Sequence, residues 1–104
     1  MTIMIRDLRP GMEHVDVKGS VLSLKEPRNI TTYYKLEHVL VEGEIDDGSG
    51  KAAMSVWDDA ISQLKDVSEG DLVELLNCFI TSFKKVIHVN VGRDSSIVKI
   101  PKTS

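Results

Sequence analysis

Apolar and polar residues alternate over five segments of the chain. A period of two predicts β-strands, because successive side chains of a strand point to opposite faces. The segments are residues 15–24, 37–46, 51–57, 71–83 and 86–91. Gly19 marks a bend or bulge in the first. Residues 25–35 contain Pro27 and are expected to be a polar connection, and residues 95–100 a closing strand or helical turn.

The alternation also assigns faces to these strands. The residues expected to face a shared core in the second to fifth strands are Val39, Val41, Ile45, Ala52, Met54, Val56, Leu76, Cys78, Ile80, Ile87, Val89 and Val91. Leu40, Glu42 and Glu44 fall on the outward side of the second strand. The acidic residues there are unexpected on a surface that would follow a phosphate backbone.

Turn signals connect the strands in a simple order. Asp47-Gly48-Ser49-Gly50 predicts a hairpin, because Gly and Asp tolerate positive φ, and Lys84-Lys85 a tight connection. Residues 58–64 suit a short helix, with Asp58 or Asp59 capping its N-terminus. Three strands, a helix and two more strands, each apolar on one face, predict a small closed all-β barrel that occupies residues 1–104 as one domain.

Three aromatic side chains lie outside this predicted core. Phe79, Thr81 and Phe83 share one face of the fourth strand, and the opposite face is already apolar. Trp57 falls on the outward face of the third strand, beside the small residues Ala53 and Ser55. An outward row of aromatic side chains on a β-surface is what stacking of unpaired bases requires.

Several motifs together resemble one family. They are residues 5–12 (IRDLRPGM), 47–50 (DGSG), 54–59 (MSVWDD), 69–71 (EGD), 79–84 (FITSFK) and 90–92 (NVG). With them the chain resembles the simple archaeal single-stranded-DNA-binding proteins and related eukaryotic sensors of single-stranded DNA. The resemblance implies a five-stranded oligonucleotide-binding (OB) barrel of Greek-key type, with a short helix between strands three and four. It also implies that Trp57, Phe79 and Phe83 stack on bases.

Charge and composition narrow the function further. The formal net charge is −3 and the pI about 5.5, which argues against a duplex binder that depends on a strong positive field. The only cysteine, Cys78, is expected to be a small buried hydrophobic residue, and no histidine has metal-ligand spacing. No catalytic motif occurs, so we expect neither an enzyme nor a cofactor. We also expect an intracellular, cytoplasmic protein that associates with the nucleoid and not with membranes.

Basic and polar residues around the aromatic ones are candidates for the remaining contacts. Lys84 and Lys85 lie next to Phe83 and are expected to meet phosphates. Arg28 either contacts phosphate or stacks on a base. The further candidates in the connection and on the same surface are Lys25, Lys35, Tyr33 or Tyr34, Ser55, Thr81, His88 and Asn90.

The sequence therefore predicts binding of single-stranded DNA without strong sequence preference, in replication, repair and recombination, by a monomer or weak oligomer. Two alternatives stay open. One is a protein-interaction subunit of a replication protein A-like complex, with repair or replication proteins as partners. The other is an RNA-binding OB domain, because stacking alone does not distinguish ribose from deoxyribose.

Overall fold

Seven strands and two short helices make up the structure, a computed structural model that describes residues 2–31 and 34–101. The 3₁₀ helices are Ile5–Asp7 and Asp58–Leu64. The strands are β1 (Val15–Leu24), β2 (Arg28–Thr31), β3 (Glu37–Asp46), β4 (Lys51–Trp57), β5 (Leu72–Phe83), β6 (Val86–Val91) and β7 (Ser96–Ile100). The five predicted strands and the predicted helix are confirmed, and the segment expected to be a closing strand or helical turn contains a strand, Ser96–Ile100.

The connection after β1 differs from the expectation, because it contains β2. This four-residue strand pairs antiparallel with the start of β3, from Arg28 opposite Leu40 to Thr31 opposite Glu37. Pro27 directly precedes it, which agrees with the confinement of proline to the ends and edges of sheets. The β2–β3 hairpin is therefore an extension of the barrel wall.

Five strands close into a ring in the order β1, β3, β4, β6, β5 and back to β1. All neighbours are antiparallel except β4 and β6, which are parallel. The five-stranded barrel predicted from the alternation is confirmed. β2 extends the ring beside β3, and β7 pairs with the first half of β5.

The barrel interior is a continuous apolar core. The largest side chains that are almost completely buried are Leu8, Ile45, Met54, Leu75, Ile80, Val17, Val21, Val56, Val73, Val89 and Val91. Burial of each of these side chains stabilises the folded state by roughly 1.5–3 kcal/mol. The two helices lie at opposite ends of β4: the Ile5 amide donates to Asp47 in the β3–β4 turn, and the second helix follows Trp57 directly.

The first half of β5 does not face the core as predicted. Asn77 has φ 57°, and four residues of β5 (Leu75 to Cys78) oppose three of β1 (Val15 to Val17). The extra residue is a β-bulge that reverses the alternation. Val73 and Leu75 therefore fill the core, and the expectation for Leu76 was wrong.

The start of β3 also departs from simple alternation. Val39 is exposed and Leu40 is buried, the reverse of the expectation. Here β3 pairs with β2, so Val39 has no core beneath it. Leu40 lies between Arg28 of β2 and Trp57 of β4 and is covered by its neighbours.

Two smaller predictions differ from the structure. Gly19 is not the site of a β-bulge in β1, since the register shifts lie on either side of it. Gly19 instead allows the backbone of Asp46 to pass closely, because a Cβ at this position would lie only 3.1 Å from the Asp46 carbonyl oxygen. Neither Asp58 nor Asp59 caps the 3₁₀ helix, because the capping position is Trp57 and no side chain bonds there.

Candidate nucleic-acid interface

One outward surface of the barrel collects the three aromatic side chains of the sequence prediction. It consists of the outward residues of β4, β6 and the second half of β5, and we call it the aromatic face. Across it, Ser55 lies opposite Asn90, and Asn90 opposite Phe79. The next row is Ala53, His88 and Thr81. Trp57 extends β4 beyond the first row, and Phe83 with Val86 ends the face at the other side.

The two phenylalanines present their rings to solvent. Phe79 is 42% exposed and Phe83 is 65% exposed, although 17 other apolar residues form a well-filled core. They lie four positions apart along β5, which places their Cα atoms about 13 Å apart at a rise of about 3.3 Å per residue. Thr81 lies between them and is also exposed. The predicted sharing of one face by these three side chains is confirmed.

Trp57 is half-buried and fixed from two sides. Its indole Nε1 donates a hydrogen bond to Asn90 Oδ1 at 3.2 Å. On another side the His38 ring meets it edge-on, with centroids 6.0 Å apart. His38 is itself held by Asp58, whose carboxylate lies 2.8 Å from Nδ1 and accepts the Val39 amide at 2.9 Å. These two contacts hold the indole in the orientation that the structure shows.

The Val39 amide and His38 also determine the ionisation of Asp58. Their hydrogen bonds favour the carboxylate, so they lower the pKa of Asp58 below its usual value of 3.8. Asp58 has φ 48°, a conformation uncommon for a residue with a Cβ. These bonds fix the corner where β4 ends, directly after Trp57.

Ser55 and Asn90 are buried, whereas the sequence analysis placed both among outward polar contacts. They lie on the aromatic face, but His88, Trp57 and Phe79 surround them. Ser55 Oγ lies 3.3 Å from His88 Nδ1. Asn90 bonds to Trp57, Thr81, His88 and the Phe79 carbonyl. The side chains of Ser55 and Asn90 therefore lie beneath the exposed rings and support the aromatic face through these hydrogen bonds.

Lys84 and Lys85 form the two-residue turn between β5 and β6, as predicted. Both have positive φ, 51° and 67°, which is the geometry of a type I′ hairpin. The Lys84 ammonium lies 5.4 Å from the centroid of the Phe83 ring. One cation is thus held at the edge of the aromatic face.

Arg28 belongs to β2 and forms an ion pair with Glu42 of β3. Its partner across the ladder is Leu40, and Leu40 in turn lies opposite Trp57. The guanidinium is mostly exposed and borders the Trp57 end of the aromatic face. The acidic Glu42, unexpected from the sequence, is therefore neutralised by the nearest cation.

The remaining candidates lie around the connection between β1 and β3. Lys25 is exposed and lines a shallow groove with Ala53 and Val86 at the edge of the aromatic face. Lys35 is exposed, and Tyr34 is 81% exposed between β2 and β3. Tyr33 lies outside the described residues. The supporting roles of His38 and Asp58 were not predicted from the sequence, although Asp58 directly follows the tryptophan. Their partners are distant in sequence, so no local pattern identifies them.

Other kinds of site find little support. Within residues 2–31 and 34–101, no group of three His, Cys, Asp or Glu side chains is placed to hold a metal ion. Over the same residues, every helix is too short or too polar to cross a bilayer. Burial raises the pKa of the Cys78 thiol to about 12, so this cysteine is protonated and unreactive.

Comparison with solved structures identifies the class of fold. The replication factor A related protein of Methanobacterium thermoautotrophicum superposes with a TM-score of 0.82 and 26% identity, over 96% of this chain and 91% of that one. DNA-binding domain A of Saccharomyces cerevisiae replication protein A gives 0.77 and 17%, over 99% and 96%. The barrel is an OB fold, as predicted.

Sequence comparison points to one kind of OB protein. The chain is 28% identical over 95 residues to the single-stranded DNA binding protein Ssb of Saccharolobus solfataricus. The match includes 91% of this chain and spans 62% of the length of that relative. No protein-family model matches the chain. The resemblance to archaeal single-stranded-DNA-binding proteins is confirmed.

Proposed function

We propose that this protein binds single-stranded DNA, largely without sequence preference, by stacking bases on Trp57, Phe79 and Phe83. The observation that carries the proposal is the exposure of Phe79 and Phe83 on one face together with an orientated indole. Each stacked base contributes roughly 1–3 kcal/mol and every base has a π-face, so the binding tolerates any sequence. The similarity to Ssb of S. solfataricus supports the same reading.

Lys84, Lys85 and Arg28 supply the phosphate contacts in this proposal. The lysines occupy the Phe83 end. Arg28 occupies the Trp57 end, where a phosphate would share its guanidinium with Glu42. Three such contacts release about two counterions in total, at roughly 0.7 per phosphate for single strands. We therefore expect a modest dependence on salt, in keeping with the net charge of −3.

The action is binding alone, without catalysis, and its place in the cell is the protection of exposed strands during replication, repair and recombination. OB folds cover about 4–16 nucleotides. Three aromatic side chains on a small barrel correspond to the lower end of that range. The proposed binding needs no cofactor, because a flexible single strand can reach the aromatic face directly.

The test is a titration with oligo-dT at low salt, followed by the emission of the single tryptophan. We expect saturable quenching, and a loss of affinity of about 5- to 150-fold in each of Phe79→Ala and Phe83→Ala. Val98→Ala is a matched control, because Val98 is similarly exposed on β7, away from the aromatic face. An unquenched tryptophan and unchanged affinity in both phenylalanine variants would contradict the proposal.

Competition with a matched oligo-U separates DNA from RNA. The proposal predicts that oligo-dT displaces the labelled strand at lower concentration than oligo-U does. Equal or stronger competition by oligo-U would favour an RNA-binding domain, because only a specific contact to the 2′-OH distinguishes the two sugars.

A further inference from the structure

Asn90 occupies the centre of the aromatic face and is only 4% exposed. Its amide connects three strands. Oδ1 accepts the Trp57 indole hydrogen at 3.2 Å from β4. Nδ2 lies 3.0 Å from Thr81 Oγ1 and 3.2 Å from the Phe79 carbonyl oxygen, both on β5.

Hydrogen-bond chemistry allows only one orientation of this amide. The indole N–H is a donor and nothing else, and the Phe79 carbonyl is only an acceptor. Oδ1 therefore faces Trp57 and Nδ2 faces β5. An aspartate would lose the donors, and a leucine would lose both partners and leave the indole N–H without its bond.

The strand ladders already fix the backbone around Asn90. β6 pairs with β5 from Phe79 to Phe83 and with β4 from Ala53 to Val56. The amide is thus not required to hold the strands in register. What it adds is the direction of two side chains that face outward, the Trp57 ring and the Thr81 hydroxyl. Since Thr81 Oγ1 accepts from Asn90, its own proton is left to turn towards solvent.

We propose that Asn90 is the positioning residue of the aromatic face. It holds the indole in its stacking orientation and leaves the Thr81 hydroxyl as a donor to an acceptor atom of a bound base. The inference rests on the proposed function, since its consequence is a higher affinity for single-stranded DNA. An orientated side chain loses less conformational freedom on binding, which is how preorganisation increases affinity.

The experiment compares Asn90→Ala with Ser95→Ala. Ser95 is also buried and bonded, to the Asn77 carbonyl and the Gly92 amide, but it does not bond to Trp57. For each variant we would measure the melting temperature, the affinity for oligo-dT, and the time-resolved fluorescence anisotropy of Trp57 in the free protein. The chain has one tryptophan, so the anisotropy reports on that ring alone.

We expect Asn90→Ala to weaken oligo-dT binding about two- to tenfold and to add fast motion of the indole, as the loss of one hydrogen bond implies. Ser95→Ala should lower the melting temperature while the affinity and the indole motion stay as in the wild type. In a Trp57→Phe background, which lacks the indole N–H, Asn90→Ala should cost less affinity than in the wild type.

Wild-type affinity and an immobile indole in folded Asn90→Ala would overturn the proposal. If that variant does not fold, Asn90→Asp retains the acceptor for Trp57. An immobile indole with weakened binding is then expected, and a mobile indole would overturn the inference. If the wild type itself does not bind oligo-dT, the proposed function fails, whereas the anisotropy still tests the positioning of Trp57 by Asn90.

Discussion

Substitutions in the turn between β5 and β6 should stabilise the protein and weaken its binding to oligo-dT. Lys84 and Lys85 both adopt positive φ, which a side chain with a Cβ disfavours. The sequence that a two-residue type I′ turn prefers is Asn-Gly. We therefore predict that the double variant Lys84→Asn, Lys85→Gly unfolds at a higher temperature and binds oligo-dT more weakly.

The size of the stability gain follows from the two residues. A left-handed conformation costs about 1–2 kcal/mol for a residue with a Cβ. Glycine removes that cost but loses about 0.5–1 kcal/mol to its greater freedom when unfolded, and asparagine relieves the other position only in part. The net gain is about 1 kcal/mol, which raises the melting temperature of a domain of this size by about 4–8 °C.

The loss in binding comes from charge. Two fewer phosphate contacts reduce the slope of log K against log salt by about 1.4, at roughly 0.7 per contact. Thermal unfolding followed by circular dichroism gives the first quantity, and oligo-dT titrations between 20 and 200 mM salt (roughly the range over which such slopes are read) give the second. The reasoning is refuted if the variant is no more stable, or if its salt slope equals that of the wild type.

A matched variant separates the two effects. Lys84→Gln, Lys85→Gln removes the same charge but keeps a Cβ at both positions. Its salt slope should fall as in the Asn-Gly variant, and its melting temperature should stay near that of the wild type. A rise in stability here would mean that charge repulsion between the lysines, and not backbone conformation, is the source of the strain.

Three further predictions concern the barrel itself. A Cβ on Gly43 would lie 2.4 Å from the Ser23 carbonyl oxygen, so Gly43→Ala should cost about 1–3 kcal/mol in a urea titration, while Gly50→Ala, with 3.6 Å to its nearest neighbour, should cost far less. Burial raises the pKa of Asp47, but bonds from Ser49 and the Ile5 amide outweigh it and leave that pKa below its usual 3.8. The stabilisation by Asp47 is therefore complete above about pH 5 and lost as the pH falls through 3.8 and below, so the free energy of unfolding of Asp47→Asn should fall less between pH 7 and pH 3. Cys78, with its pKa raised to about 12 by burial, should react with Ellman's reagent at pH 8 only after denaturation; rapid reaction of the native protein would contradict its burial.

Most of the barrel could be predicted because its strands follow one rule. In β4 the register against β3 is continuous, and Ala52, Met54 and Val56 are buried as expected, although Ser55 is buried as well. Alternation failed to predict burial at the bulge of β5, where one residue is inserted, and at the start of β3, where no core lies beneath Val39. The bulge at Asn77 carries no strong local signal, because asparagine is also common in regular turns and loops.

The candidate site was predicted in its outer layer only. Exposed aromatic side chains can be recognised from a strand that is apolar on both faces, as with Phe79 and Phe83. The layer beneath depends on contacts between distant residues. The hydrogen bond between Asn90 and Trp57 joins residues 33 positions apart, and the one between His38 and Asp58 joins residues 20 positions apart. Alternation places Asn90 on the correct face, but it does not show that the side chain is buried there.

The acidic balance of the chain, which argues against a duplex binder that depends on a strong positive field, includes carboxylates that form bonds within the barrel. Asp16, Asp47 and Asp58 each accept a backbone amide, and those bonds help to lower their pKa values. Glu42 is paired with Arg28. These groups stabilise turns and corners of the barrel, whereas Lys84 and Lys85 project from a turn beside an exposed aromatic ring. A phosphate that approaches Phe83 therefore meets a local positive charge, although the molecule as a whole is negative, because beyond a Debye length of about 8 Å at physiological salt the more distant carboxylates are screened.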